Sequence, residues 1–353
     1  MKQKVLVTGG AGFLGTHFVA YLLQKGGYDI VIFDKLEPDI LKKNPDKVQY
    51  IKGNIRSIQD VQDVFKQFGP FSIVFHLAAE MPDKSASEEV TWETNVLGTK
   101  NIVSESVKNG VKNFVFTSSN VTYGIPEVLP VTEETPVHPL EIYGKSKLQA
   151  EKELEKFTSQ INIQIFRCPV ISGVGRLGLQ AILFEFISEN RNVYVLGDGS
   201  NKYQFVDADD VCMALEKAGH MKGFDIYTIG SDGILTLKEI YQKVIDFAKS
   251  SSKIVSLPKI PALLSLSILD KLNISPLGVY QYTMIGRSMY ADTTKIKKKL
   301  GWKPKMTNAD SFIENYKWYQ KHKGEFIELG SGNVSSNKSV PKLKAFRLLK
   351  LFS

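Results

Sequence analysis

TGGAGFLG, residues 8–15, follows the apolar run Val5-Leu6-Val7 and precedes an apolar-periodic stretch that begins at Phe13. Four glycines in eight residues, placed where a strand hands over to a helix, leave the backbone free of side chains. Such a turn lets N–H groups approach a pyrophosphate at the positive end of the helix dipole. Gly9, Gly12 and Gly15 are spaced GxxGxxG, one residue longer than the GxGxxG of many dinucleotide-binding turns. Asp34 closes the next strand pattern, YDIVIFD, about 20 residues on, where a carboxylate accepts hydrogen bonds from ribose hydroxyls and repels a 2′-phosphate. The expected cofactor is therefore NAD rather than NADP, although Lys35 beside Asp34 offers the opposite charge.

The rhythm around this turn sets the fold class. VLVTG, YDIVIFD, VQYIKG, FSIVFHLAA, NFVFTSS and INIQIFR alternate with helical patterns at 13–25, 57–68, 90–109 and 143–158. Strand–helix alternation of this kind builds right-handed βαβ units and a doubly wound parallel α/β sheet, a nucleotide-binding Rossmann arrangement. The rhythm loosens after Pro169, with a helix expected near 177–190, a turn at GDGSN (197–201), a strand around 224–229 and helices up to about 323. We read residues 1–170 as the cofactor domain, its sheet completed by later strands, and 171–323 as a smaller substrate domain. Residues 324–353 read as a flexible linker followed by a basic tail.

With 353 residues, 43% hydrophobic and 23% charged, the composition is that of a globular protein, not a disordered or fibrous one. The two cysteines, Cys168 and Cys212, are too few for a disulfide framework and lack metal-ligand spacing, so an intracellular setting and no metal are expected. No signal-like segment opens the chain and no long apolar run interrupts it, which points to the cytoplasm. The net charge of +8 gathers late, at Lys295, Lys297, Lys298, Lys299, Lys303 and Lys305, and at five lysines or arginines in the last sixteen residues. In that tail Leu343, Phe346 and Leu349 share a helical face flanked by Lys342, Lys344, Arg347 and Lys350, a pattern suited either to the inner surface of an anionic membrane or to docking on protein.

A second constellation is YGKSK, which sets Tyr143 and Lys147 four residues apart on one helix face, 24 residues after the strand end Thr117-Ser118-Ser119. A phenol titrates near pH 10, and a neighbouring ammonium lowers that value towards the working range of a base. TGGAGFLG, Asp34, GNIRS, FHLAAE, TNVLGTKNI, FTSSNVTYG, YGKSK, FRCPV, GDGSNKYQFVDADDV and KKLGWKP occur in this order. With them the chain resembles the extended short-chain dehydrogenase/reductases, and within them the NAD-dependent epimerase/dehydratase family, from Lys4 to about Lys321.

The resemblance implies roles residue by residue. Tyr143 is the base and acid, Lys147 its modulator and the holder of the nicotinamide ribose, and Ser119 the hydrogen-bond partner of the reacting hydroxyl. Phe13 and Leu14 continue the cofactor turn, Asn54 and Ile55 lie beside adenine, Leu77, Ala78 and Ala79 form a wall along the dinucleotide, and Asn95 supports the site. Pro169 completes the cofactor set, and Glu80, Asn120, Lys202, Tyr203 and Arg287 are substrate candidates. Dehydratases of this family carry Asp-Glu where this chain has Asn120 and Val121, so dehydration is not expected. A family arginine for the substrate pyrophosphate is replaced by Tyr203, with Lys202 or Arg287 as substitutes. Two reactions stay open: sugar 4-epimerisation on a nucleotide- or lipid-diphosphate-linked substrate, and oxidation or reduction of a hydrophobic secondary alcohol, for which Arg167-Cys168-Pro169 provides the Arg-x-Pro seen in hydroxysteroid dehydrogenases. The resemblance also implies a homodimer through the helices at 90–109 and 143–158. No nucleic-acid partner is expected.

Overall fold

Val5, Leu6, Val7, Ile30, Val31 and Ile32 are completely buried, so the middles of the first two strands are apolar on both faces, as strands covered on both sides of a parallel sheet must be. The computed structural model describes residues 2–81, 87–264 and 279–328. Its main sheet uses β1 (Gln3–Thr8), β2 (Tyr28–Asp34), β3 (Val48–Lys52), β4 (Ile73–His76), β5 (Asn113–Ser119) and β6 (Asn162–Cys168). With Phe224–Thr228 these form a seven-stranded sheet in the order Phe224–Thr228, β6, β5, β4, β1, β2, β3. Every adjacent pair is parallel. The chain winds outward from β1 to β3, then restarts at β4 on the other side of β1. The carboxyl ends of β1 and β4 are therefore the switch point, where open α/β sheets bind ligands.

Helices α1 (Phe13–Lys25), α2 (Ile40–Lys43), α3 (Ile58–Phe68), α4 (Glu88–Trp92), α5 (Gly98–Lys108) and α6 (Ile142–Glu155) lie between the strands. On one face, Leu6, Val31, Val74 and Phe114 pack with Val61, Val64, Ile102 and Leu154 in a single apolar cluster. Ser57 caps α3 by accepting the Asp60 N–H. The single helix expected at 90–109 is interrupted: Glu93–Leu97 forms a π turn between α4 and α5. Such a turn inserts one residue into the helical spacing, and π turns concentrate at functional sites. The Gly98 that follows permits close packing, because a Cβ there would meet Ile55 Cδ1 at 2.6 Å.

The chain divides into two compact units. The first comprises residues 1–169, 208–229 and 291–303, and the second 170–207, 230–290 and 304–353. The stretch read as the substrate domain, 171–323, with later strands completing the sheet, returns twice to the first unit, at 208–229 and at 291–303. The reasons are visible in its side chains. Glu216, on the helix Ala208–Ala218, pairs with Lys25 at 2.6 Å and accepts from Tyr28 Oη at 2.6 Å. Trp302, 1% exposed, donates from Nε1 to the Asp210 carbonyl at 2.9 Å.

The second unit, described by itself, has two parallel strand pairs: Val193–Leu196 with Ile254–Leu257, and Val170–Ser172 with Phe205–Asp207. Phe184, Ile240, Val244, Phe312, Tyr316 and Tyr319 form its core. The long helix Asn308–Glu328 runs past Gly324, where the sequence suggested a linker. A lone glycine inside a helix costs only about 1 kcal/mol, too little to end a helix whose earlier turns are packed. The amphipathic tail and most of the apolar 260–272 stretch lie outside the described residues. No helix among the described residues is long and apolar enough to cross a membrane.

Trp302→Ala should lower the stability of the first unit by about 3–5 kcal/mol through loss of a fully buried indole. A thermal melt unchanged by the substitution would refute the assignment of residues 291–303 to that unit.

Candidate active site

The glycine turn follows directly from β1. Gly9 has φ +72°, and a Cβ there would stand 2.6 Å from Ala78 N and Cα. A Cβ on Gly15 would come within 2.1 Å of the Gly9 carbonyl oxygen. Both positions are glycine because the protein's own backbone fills the space. Gly12 differs: its one close neighbour would be Gly9 O at 3.1 Å. As the N-cap of α1 it places no side chain over the first helical turn. A Cβ at 12 would thus be far less crowded by the protein's own backbone than one at 9 or 15.

Asp34 faces the same turn. Its Oδ2 accepts the Ala11 N–H at 2.9 Å and its Oδ1 the Leu36 N–H at 3.0 Å, which fixes the plane of the carboxylate and leaves further lone pairs for ribose hydroxyls. The loop after β3 is anchored beside it: Gly53 N–H donates to Asp34 O at 3.0 Å, and Asn54 N–H to Asp60 Oδ2 at 2.8 Å. Ile55 is buried, and its carbonyl accepts from Asn101 Nδ2 at 3.0 Å. After β4, Leu77 N–H donates to Thr8 O at 3.2 Å, which starts the Leu77–Glu80 segment against the glycine turn. Glu80 then spans to Lys35, 3.1 Å away.

One buried chain of hydrogen bonds underlies these loops. Thr99 Oγ1 donates to Asn95 O at 2.7 Å, so it can only accept from His76 Nε2 at 2.9 Å. His76 Nδ1 then accepts from Thr8 Oγ1 at 2.6 Å, and Thr8 in turn accepts from Ala78 N–H at 3.3 Å. Each group makes one donation and one acceptance, which specifies the Nε2–H tautomer. Burial, reinforced by the Lys147 charge, pushes the His76 pKa down to about 3, so the ring is neutral. Asn95, in the π turn, accepts Glu80 N–H at 2.8 Å through Oδ1 and donates through Nδ2 to Glu80 O and Ser146 Oγ, both at 3.0 Å. Ser146 Oγ donates to Tyr143 O at 2.8 Å. Asn95 thus joins the cofactor-side loop to the helix that carries the tyrosine.

That helix, α6, begins where Glu141 accepts the N–H groups of Tyr143 at 2.8 Å and Gly144 at 3.0 Å. A Cβ on Gly144 would lie 3.0 Å from Val121 O, so the start of α6 rests directly on the turn Asn120–Tyr123 that follows Ser119. Lys147 is 2% exposed. Its Nζ donates to Thr117 O at 2.8 Å, sits 4.6 Å from the Phe116 ring centroid and 5.9 Å from that of Tyr143. Burial lowers its pKa to about 8, with Cys168 and Glu151 opposing the shift. The Ser119 hydroxyl has only long partners, Cys168 O at 3.5 Å and Val121 N at 3.4 Å, and is free to reorient towards a substrate hydroxyl. The structure thus brings Ser119, Tyr143 and Lys147 to the carboxyl end of β5, with Asn120 buried in the adjoining turn and Pro169 buried just after β6.

Lys202, Tyr203 and Arg287 belong to the second unit. There Lys202 bridges to Thr236 and Tyr203 to Met289, and Lys202 N–H donates to Ser288 Oγ at 3.0 Å, which brings all three onto one pair of adjoining segments. Arg167 is not available to a substrate: its guanidinium is 6% exposed and holds both oxygens of Glu151, at 2.8 and 3.2 Å. Glu151 also accepts from Ser118 Oγ at 2.5 Å. The Arg-x-Pro pattern thus serves to lock α6 to β5 and β6. Thr8, Thr99, Ser146 and Glu151 escaped the sequence reading, because each acts through a partner at least three residues and up to 68 residues away. No group of three or more metal-ligating side chains occurs among the described residues.

Gly12→Ala should fold normally yet lose dinucleotide binding, whereas Gly15→Ala should fail to fold stably; equal melting temperatures for the two variants would refute this division. Lys147 has a folded-state pKa of about 8, below its unfolded value of 10.5. Its burial therefore opposes folding fully below about pH 8, and that penalty fades as pH rises towards 10.5, a change of up to about 3 kcal/mol. Wild-type stability measured against that of Lys147→Met should rise across this window, and a flat difference would show that the ammonium is not desolvated.

The NAD dependent epimerase/dehydratase family model matches residues 5–230. An uncharacterized protein, y4nG, of Sinorhizobium fredii is 37% identical over 349 residues, covering 98% of this chain and 85% of that one. UDP-glucose 4-epimerase of Lactobacillus helveticus is 28% identical over 356 residues, covering 91% of this chain and 98% of the relative. Among solved structures, UDP-glucose 4-epimerase of Thermotoga maritima with UDP-glucose superimposes with a TM-score of 0.74 at 25% identity, covering 90% of this chain and 99% of that one. The fold is shared as well with the Bordetella bronchiseptica enzyme WbmG in complex with NAD, TM-score 0.75 at 21% identity, over 91% of this chain and 95% of that one. This chain thus belongs to the NAD-dependent epimerase/dehydratase family, whose cofactor is NAD.

Proposed function

We propose that this protein is a nucleotide-sugar epimerase of the 4-epimerase type. The observation that carries the reading is the Lys147 ammonium, anchored to Thr117 O at 2.8 Å and 5.9 Å from the Tyr143 ring centroid, at the end of the strand that bears Ser119. The residues present fit the dinucleotide: Gly12 leaves the first turn of α1 open, Asp34 is held with lone pairs to spare, and Leu77, Ala78 and Ala79 supply small or apolar surface beside the turn. Bound NAD supplies a hydride acceptor and donor. Ser119 hydrogen-bonds the sugar 4-hydroxyl and orients it. Tyr143 takes the hydroxyl proton and later returns one, while Lys147 stabilises the charge on the phenolic oxygen and binds ribose.

This chain's own turn supports epimerisation over dehydration. NVTY, residues 120–123, contains no carboxylate, and elimination of water needs an acid and a base besides the tyrosine. For the nucleotide diphosphate, Lys202 and Arg287 are the proposed cations. Trp92 and Leu97, 40% and 43% exposed within the 90–109 segment, support a homodimer through the helices at 90–109 and 143–158. A lipid-linked sugar and contact with a membrane rest on the tail at 331–353, outside the described residues.

The purified protein should release near-stoichiometric NAD on denaturation and convert UDP-glucose to its 4-epimer. Tyr143→Phe should retain the NAD and lose about 10²–10⁴-fold in turnover. Undiminished turnover in that variant, or stoichiometric loss of NAD during each catalytic cycle, would overturn the proposal.

A further inference from the structure

Lys35 is the residue that set the charge on the ribose edge in doubt: an ammonium next to Asp34 is well placed to pair with a 2′-phosphate. In the structure it is engaged elsewhere. Its Nζ lies 3.1 Å from Glu80 Oε2, and the two side chains are 46% and 28% exposed. β1 pairs with β2 on one side and β4 on the other. Lys35 follows β2 and Glu80 follows β4, so their contact crosses the carboxyl end of β1, two strand spacings or about 10 Å.

Glu80 is well suited to hold this position. Its N–H and its carbonyl are both bound by the Asn95 amide, at 2.8 and 3.0 Å, and Asn95 is fixed in turn by Ser146. The backbone of Glu80, four residues beyond the end of β4, is thus held at both its polar groups, and its carboxylate pairs with Lys35. We propose that Glu80 is a specificity-determining residue for the cofactor: by pairing with Lys35 it engages the cation that follows Asp34 in the chain and could otherwise neutralise a 2′-phosphate, and so it favours NAD over NADP. Asp34 repels the phosphate, and Glu80 prevents Lys35 from cancelling that repulsion. The proposal rests on the assignment of the glycine turn and Asp34 to the dinucleotide, and is independent of the sugar substrate.

The test is equilibrium binding of NADH and NADPH, followed by nicotinamide fluorescence, which needs no turnover. Glu80→Gln releases Lys35, and the ratio of NADPH to NADH Kd should fall about three- to fivefold, the scale of an exposed ion pair. Glu80→Asp, one methylene short of Lys35, should shift the ratio in the same direction and guards against a Gln variant that folds poorly. In a Lys35→Met background the Glu80→Gln change should leave the ratio unmoved. A ratio unaltered by either Glu80 variant would overturn the proposal, and so would a fall that persists without Lys35, since that would be the field of the carboxylate alone. Failure of the parent protein to bind either nucleotide would instead overturn the cofactor site beneath it.

Discussion

A histidine can be buried between parallel strands only as a neutral ring with both nitrogens satisfied, and His76 meets that demand by using two threonines as relays. Thr8 comes from the strand that leads into the glycine turn, Thr99 from the helix after the π turn. The imidazole therefore ties together the three segments that must agree in position for the site to exist: the turn, the loop after β4 and the helix bearing Asn95. Protonation would add a second buried cation close to Lys147, and the depression of the His76 pKa to about 3 keeps the ring out of that state. The buried positive charge beside the ring is then that of Lys147 alone, Arg167 being paired with Glu151.

Electrostatic order extends outward from that charge. Glu151, one turn beyond Lys147 on α6, is neutralised by Arg167 in a bidentate pair, so it anchors the helix without competing strongly for the ammonium. A buried ion pair of this type contributes little net stability against an apolar alternative, yet removing one partner strands a charge and costs about 3–5 kcal/mol. It fixes geometry more than it adds stability. At the other edge, Asp34 and Lys35 look opposed when read as neighbours in sequence, and the opposition disappears once Glu80 claims the lysine.

These contrasts account for what was legible in the sequence. The β–α rhythm, the glycine turn, Asp34 and the Tyr143–Lys147 spacing are local patterns, and the chain writes them within a few residues of each other. Gly9, Gly12 and Gly15 were equally visible, but their different reasons were not: Gly9 is crowded by Ala78, which arrives from elsewhere in the fold, Gly15 by the backbone of the turn itself, and Gly12 is the least crowded of the three. Thr8, Thr99, Glu151 and Glu80 acquire their roles from partners across the sheet, and no spacing rule reaches them. The π turn was hidden because the apolar periodicity of 90–109 continues across one added residue. The return of 208–229 and 291–303 depends on contacts such as Trp302 with Asp210, and only the strand near 224 announced it.

That return has a consequence for how the protein is made. The seventh strand and the helix before it leave the ribosome only after a first excursion into the second unit, and residues 291–303 only after another. An emerging chain that has reached Pro169 holds six of the seven strands, with β6 still an unpaired edge of buried-type residues such as Ile163 and Ile165. An uncovered edge of that composition is a template for pairing with other chains. The first unit is thus exposed to misassociation until the strand Phe224–Thr228 has emerged, and no single cut in the chain would deliver it whole.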